Sequence, residues 1–174
     1  MHAEEWIQKH GRYRRTMPLT ELRKSLERQK GECTWCGGKC PSNYHRYCSH
    51  ECNRMANVRC NAGQMRGFVF HRDRGVCAAC GLNVMRLAAA CNSLRWLKAR
   101  NTGVGFRSRY FIFSWLESEG FGKNFPTWEA DHITPVVEGG GLCHPDDVRT
   151  LCIRCHKKET AELAARRAKK RATA

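Results

Sequence analysis

The stretch WEADHITPVVEGGGLCHPDDVRTLCIRCHKK, residues 128–158, holds the densest set of chemically reactive side chains in this chain. It opens with an Asp-His pair and closes with a CxxC motif that a histidine follows directly. In order, its marked residues are Asp131, His132, three glycines at 139–141, Asp146, Asp147, Cys152, Cys155 and His156. An earlier CxxC, Cys77 and Cys80, supplies the two further thiolates that a tetrahedral zinc site with Cys152 and Cys155 requires.

A second group of cysteines lies within residues 33–52. Cys33 and Cys36 form a CxxC motif followed by two glycines, which relax the turn so that backbone N–H groups can face the sulfurs. Cys48 and Cys52 are four residues apart, a spacing that places both on one face of a helix. We predict that these four cysteines bind a second structural zinc. Three other side chains compete for the same role: Cys40, His45 and His50.

Composition bounds the partners and the compartment. The chain has 174 residues, with 31 Lys and Arg against 16 Asp and Glu, a net charge of +15 that favours an anionic polymer, with acidic membranes as the rival. No apolar run approaches the roughly 20 residues of a membrane span, and no signal peptide is visible. Twelve cysteines in such a chain indicate metal binding rather than disulfides. We therefore expect a cytoplasmic protein, associated with the nucleoid if bacterial, that is neither secreted nor bound to a membrane.

The ordered pattern resembles HNH endonucleases of the ββα-metal class, which are built on a treble-clef zinc finger. The residues that carry the resemblance are Cys77-x-x-Cys80, Asp131-His132-Ile133-x-Pro135, Gly139-Gly140 and Asp147-Val148-x-x-Leu151-Cys152-x-x-Cys155-His156. The likeness covers about residues 62–165. This chain is similar in particular to the HNH module attached to some strand-annealing helicases, which also has a long insert after its first CxxC.

The resemblance implies a small, zinc-stabilised α+β fold with a ββα-metal (treble-clef) module, a helical insert and an N-terminal zinc-knuckle unit. We expect residues 1–60 to form a basic arm, a helix and the four-cysteine zinc knuckle, and residues 61–174 to form the nuclease module. Within the module, residues 81–127 are the insert and the last helix is basic. Residues 1–17 are expected either to lie along phosphates or to fray. Helices are predicted at 18–30, 61–74 and around 87–97, and a short helix or turn at 110–116, whose aromatic residues should lie in the core.

By resemblance, Asp131 and His156 would bind a catalytic Mg²⁺ or Mn²⁺, although a histidine ligand also admits other divalent ions. His132 would be the general base, because a histidine titrates near neutral pH. Neighbouring side chains on a strand point to opposite faces, so Asp131 and His132 can serve one site only if the strand twists or ends there. Pro135 favours a strand that ends soon after them.

Asp147 departs from the family pattern, which has Asn at this position. An ionised aspartate can only accept hydrogen bonds. We expect it to hold backbone N–H groups, to hold the imidazole N–H of His132, or to cap the last helix. His144 is a nearby rival for metal or phosphate contact.

We therefore predict a metal-dependent DNA endonuclease, a phosphodiester hydrolase, acting most simply on double-stranded DNA. Sequence-specific restriction is favoured by the extra segments 1–60 and 81–127, and a palindromic site would call for a homodimer. The alternatives are a structure-specific or nicking repair or phage nuclease, and a zinc-dependent nucleic-acid-binding protein whose HNH site is inactive. The candidate DNA contacts are Arg107, Arg109, Lys157, Lys158, Arg166 and Arg167.

Overall fold

The computed structural model describes residues 1–41, 46–99, 106–119, 121 and 127–173, without the side chains of 94–99 and 106–110. Its helices are α1 (Ala3–His10), α2 (Leu19–Ser25), α3 (His50–Cys60), α4 (Ala62–Arg72), α5 (Val84–Ala99), α6 (Phe106–Ser118) and α7 (Ile153–Ala172). Two strands, β1 (Trp128–His132) and β2 (Val148–Cys152), form a two-stranded sheet. The order β1, β2, α7 is the ββα arrangement that the resemblance implies, and the small α+β fold is confirmed.

The helix boundaries follow from local chemistry. α3 begins after Ser49, whose side chain accepts a hydrogen bond from the backbone N–H of Cys52. α4, predicted at 61–74, begins after Asn61, whose Oδ1 accepts from the N–H groups of Gly63 and Gln64. α2 is shorter than predicted, because Glu27 has φ +53°, in the left-handed region that a helix cannot continue through.

α6 corrects two expectations about the insert. It begins at Phe106, four residues earlier than the predicted helix or turn at 110–116, so Arg107 and Arg109 belong to this helix. The aromatic residues of this helix are not uniformly buried. Phe111 is 73% exposed and Trp115 is 53% exposed, and the expectation that they lie in the core is therefore wrong.

The described chain divides into two compact units, residues 1–71 with 132–149, and residues 72–131 with 150–174. The first unit has a hydrophobic core in which Ile7 of α1 is 1% exposed, Leu22 of α2 is 0% exposed and Trp35 is 5% exposed. Leu142, from the connection between β1 and β2, belongs to the same core. The segment 3–10 is thus not a frayed terminus, since α1 contributes to this core, whereas contact of residues 1–17 with phosphates stays a prediction.

Two backbone hydrogen bonds join the segment after α1 to the connection between the strands. The N–H of Gly141 donates to the carbonyl of Arg12 over 2.6 Å, and the N–H of Leu142 donates to that of Gly11 over 2.9 Å. A Cβ at position 141 would lie 2.2 Å from the Gly11 carbonyl oxygen. Only glycine permits this approach, which explains one member of the glycine run in physical terms.

Backbone hydrogen bonds and an ion pair join separate segments of the second unit. The N–H of Ala78 donates to the carbonyl of Thr150 on β2 over 2.8 Å, and the N–H of Ile153 donates to that of Thr127 over 3.1 Å. Arg154, at the start of α7, forms a 2.8 Å ion pair with Glu119 just after α6. The insert is thereby tied to the start of the last helix.

None of the helices described has both the length and the apolar character required to cross a bilayer.

Candidate functional site

The four cysteines predicted as the first zinc site lie together in the first unit. The Sγ atoms of Cys33, Cys36, Cys48 and Cys52 all lie within 4.8 Å of one another, and Cys36 and Cys48 are 3.4 Å apart. A tetrahedron with Zn–S bonds of about 2.3 Å has S···S edges of about 3.8 Å, so the donor set fits zinc. Cys52 lies in the first turn of α3, but Cys48 precedes that helix, so the expected single helical face is wrong. His45 lies outside the described residues.

The second predicted zinc site has the same arrangement in the second unit. The Sγ atoms of Cys77, Cys80, Cys152 and Cys155 also lie within 4.8 Å of one another, with Cys80 and Cys152 3.7 Å apart. Cys152 is the N-cap of α7 and Cys155 lies in its first turn, so a zinc ion held by this cluster would fix the beginning of the last helix. In both knuckles the glycine after the second cysteine has a positive φ, +81° at Gly37 and +73° at Gly81. The N–H of Gly38 approaches the sulfur of Cys36 at 3.4 Å, as expected.

The thiols of each cluster differ in how readily they ionise. Burial opposes ionisation of Cys33, but hydrogen bonds from the backbone N–H groups of Cys36, Cys48 and Trp35 lower its pKa to about 6. Burial likewise opposes ionisation of Cys77, but hydrogen bonds from backbone N–H groups lower its pKa to about 7. Burial and the neighbouring thiols raise the pKa of Cys155. Zinc would displace the remaining protons, and its binding would therefore depend on pH.

β1 ends at His132, so the prediction of a strand that ends close to the Asp-His pair is confirmed. Asp131 is the fourth residue of the strand and His132 the fifth and last, and both are half-buried. The N–H of Ile133 then donates to the backbone carbonyl of Asp147 over 2.8 Å. This bond holds the residue after His132 through main-chain atoms, independently of which side chain occupies position 147.

The connection between the strands is longer than a tight turn. It runs from residue 133 to 147 and includes two 3₁₀ turns, Val136–Glu138 and Pro145–Asp147. Oδ2 of Asp147 accepts a hydrogen bond from the backbone N–H of His144 over 3.1 Å. Of the three expected roles for Asp147, the structure shows the one in which it holds a backbone N–H. The role as cap of the last helix is wrong, since that helix is capped at Cys152.

Asp73 is a structural residue that the sequence reasoning missed. Its Oδ2 accepts a hydrogen bond from the N–H of Thr150 on β2 over 2.8 Å, and Arg72 donates to its other oxygen. Burial opposes ionisation of Asp73, but these bonds lower its pKa below the ordinary value. The carboxylate thus holds β2 close to the zinc knuckle. No local pattern announces this role, because the partner is 77 residues away along the chain.

α7 carries His156 and most of the candidate DNA contacts. His156 is half-buried, and Asp131 and His156 offer a carboxylate and an imidazole, a donor pair that suits a divalent ion which keeps several waters. Lys157, Lys158, Arg166 and Arg167 are all exposed. The side chains of Arg107 and Arg109 lie outside those described.

Three comparisons place these features among known proteins. Residues 118–162 match the family model described as HNH endonuclease. Over 138 residues, 72% of this chain, the chain is 33% identical to the mouse protein "DNA annealing helicase and endonuclease ZRANB3" and 31% identical to the human one. It spans only 12% of the length of these relatives. The crystal structure of the human ZRANB3 HNH domain is 30% identical in sequence, with 64% of this chain and 96% of that chain covered and a TM-score of 0.41.

The family match covers β1, β2 and the beginning of α7, and therefore includes Asp131, His132, Asp147 and His156. The alignment with the relatives covers 72% of this chain, which is more than the family match covers. On these grounds residues 118–162 of the chain form a domain of the HNH endonuclease family.

Proposed function

We propose that this chain is a metal-dependent DNA endonuclease that hydrolyses phosphodiester bonds. One observation carries the proposal. The Asp-His pair closes β1, β2 follows, and a zinc-ligand pair then starts the helix that bears His156. A protein that only binds nucleic acid needs none of the three residues Asp131, His132 and His156.

His132 is the proposed general base, which takes a proton from the attacking water. Asp131 and His156 are the proposed ligands of a Mg²⁺ or Mn²⁺ ion. When bound, such an ion stabilises the charge that develops on the phosphate and on the leaving 3′ oxygen. The carboxylate of Asp147 supports the loop that follows His132, through its bond from the N–H of His144. The eight clustered cysteines would bind two structural zinc ions.

DNA is the proposed substrate. The relatives are named as enzymes of DNA, and the net charge of +15 suits a polyanion. Lys157, Lys158, Arg166 and Arg167 are proposed phosphate contacts, since α7 projects them into solvent. Arg107 and Arg109 are proposed contacts on the strength of their charge alone.

Two versions of this function differ in how DNA is chosen. Sequence-specific cleavage is favoured by the extra segments 1–60 and 81–127, and the homodimer stays a prediction attached to this version. Cleavage directed by DNA structure is favoured by the relatives, which are named as annealing helicases as well as endonucleases. The division at residue 60 and the cytoplasmic location also stay predictions.

The test is cleavage of supercoiled plasmid and of a branched oligonucleotide, with and without Mg²⁺ or Mn²⁺, by the natural chain and by His132→Ala. We expect His132→Ala to lose cleavage while DNA binding and zinc content stay unchanged. Discrete plasmid fragments indicate sequence specificity, and preferential cutting of the branched substrate indicates structural specificity. Full cleavage by His132→Ala would show that the assignment of the base is wrong, and bound but uncut DNA with the natural chain would favour the binding protein.

A further inference from the structure

Arg59 is a buried charge that the nuclease motif does not use. It lies near the end of α3 in the first unit, and its side chain is 1% exposed. Its Nη2 forms a 2.7 Å ion pair with Oε1 of Glu4 on α1. Burial of a guanidinium is tolerated when such a partner is present, so this pair accounts for the charge.

The pair does not account for the hydrogen-bond donors of Arg59. A guanidinium has five N–H groups, one on Nε and two on each terminal nitrogen. Nε and Nη1 are both buried and have no hydrogen-bond partner among the described residues. Three N–H groups are therefore unsatisfied inside the first unit. Natural proteins leave few buried donors in this state, and each such group calls for an explanation.

Arg59 lines a cleft of about 250 Å³ in the same unit. The cleft lies between α1, the end of α3 and the connection between β1 and β2, and its wall includes Arg12, Gly139 and His144. A water molecule occupies about 30 Å³ of liquid, so the volume leaves room for a phosphate group and accompanying waters.

The charged side chains around this cleft are two arginines, Arg12 and Arg59, and two carboxylates, Glu4 and Asp147. Of the two carboxylates, Glu4 accepts from Arg59, and Asp147 accepts from the backbone N–H of His144. Arg12 is exposed, and its side chain makes no hydrogen bond or ion pair with the residues described. Its Nε lies beside the glycine turn, 3.8 Å from the position of a Cβ at Gly139. An anionic ligand that supplies several acceptor oxygens matches the unsatisfied N–H groups of Arg59 and the exposed guanidinium of Arg12.

We propose that this cleft binds a phosphate group of the nucleic acid, with Arg12 at its rim and Arg59 at its floor. The site differs from the one at which the bond is cut, because neither Asp131, His132 nor His156 lines the cleft. That the phosphate belongs to a nucleic acid rests on the proposed function, whereas the capacity of the cleft to bind an anion does not. The phosphate would belong either to the interior of a strand or to a 5′ end, and these sources share the same chemistry. The N-terminal helix and α3 would then contribute directly to how DNA is held.

The test uses the full chain with His132→Ala, so that binding is measured without cleavage. Affinity is compared for oligonucleotides in which each phosphate in turn is replaced by a neutral methylphosphonate, and for the same oligonucleotide with and without a 5′ phosphate. Arg12→Ala is added in one variant and Arg15→Ala in a matched control, since Arg15 is an exposed arginine of the same segment that does not line the cleft.

We expect one phosphate whose replacement weakens binding by about tenfold in the parent and in the Arg15→Ala control, but by less than about twofold with Arg12→Ala. If that phosphate is an internal one, the cleft binds the interior of a strand, and if it is the 5′ phosphate, the cleft binds a strand end. Either result supports the proposal. If no position depends on Arg12 more than on Arg15, the proposal is overturned.

A second measurement is independent of the nuclease assignment. The ¹⁵Nε–¹Hε resonance of Arg59, assigned with Arg59→Lys, is followed by NMR during titration with inorganic phosphate and, separately, with chloride at equal ionic strength. A saturable shift with phosphate alone supports an anion site, even if the chain binds no DNA. A resonance that phosphate leaves unmoved at millimolar concentration, and that saturating DNA also leaves unmoved, overturns it.

Discussion

Leu142 tests whether the connection between the strands and the N-terminal helices really share one core. The side chain is 5% exposed and packs in the cluster that contains Ile7, Leu22 and Trp35. Leu142→Ala removes it while leaving the backbone bond to Gly11 available. Val137→Ala in the same connection is the matched control, because Val137 is 50% exposed.

The expected magnitude follows from burial. Truncation of a buried leucine to alanine costs about 2–5 kcal/mol, because apolar contact is lost and a cavity remains. Leu142 is nearly but not wholly buried, so we expect a loss near the middle of this range, about 3 kcal/mol. An exposed valine should change stability by less than about 0.5 kcal/mol when it becomes alanine.

The assay is hydrogen exchange by mass spectrometry on the zinc-loaded chain, which reports on each unit separately. Leu142→Ala should speed exchange in peptides of α1 and α2 on the order of 100-fold, because these amides exchange through opening of the first unit. Peptides of α5 and α7, in the second unit, report whether the effect is local. Exchange in α1 that is no faster than in Val137→Ala would refute the shared core.

Three further predictions concern single side chains. Cys152→Ala should halve the zinc content and unfold the second unit, since structural zinc contributes on the order of 10 kcal/mol to folding. Elemental analysis measures the zinc content, and a well-folded product that retains two zinc ions would contradict the ligand assignment. Asp147→Asn should keep the bond from the N–H of His144, because an amide oxygen also accepts, whereas Asp147→Ala should cost about 1 kcal/mol in urea unfolding; equal stability of the two variants would argue against this bond. Asp73→Ala should leave the buried N–H of Thr150 without its acceptor and lower the free energy of unfolding by about 1–3 kcal/mol. Hydrogen exchange of the Thr150 amide should then be faster, and unchanged exchange there would show that Asp73 does not hold β2.

The two clusters of four cysteines and the HNH motif could be found from the chain alone. Each CxxC brings its two thiols together through a few bonds, and the glycine that follows supplies the positive φ of the knuckle, as at Gly37 and Gly81. The end of β1 at His132 and the long last helix also follow from neighbouring residues, since Pro135 stops a strand and the segment after Cys155 lacks helix breakers. These features depend on spacing, which is visible in one dimension.

Packing between distant segments could not be found in this way. Leu142 lies in a core with Ile7, Arg59 pairs with Glu4 across 55 positions, and Asp73 holds Thr150 across 77. The exposure of Phe111 and Trp115 on α6 was likewise invisible, because an aromatic residue has the same local preference whether its face is covered or open. Such contacts form only when the whole chain folds, since the free energy that favours them comes from burial shared among distant segments. The local sequence of one segment does not show which other segment it will pack against.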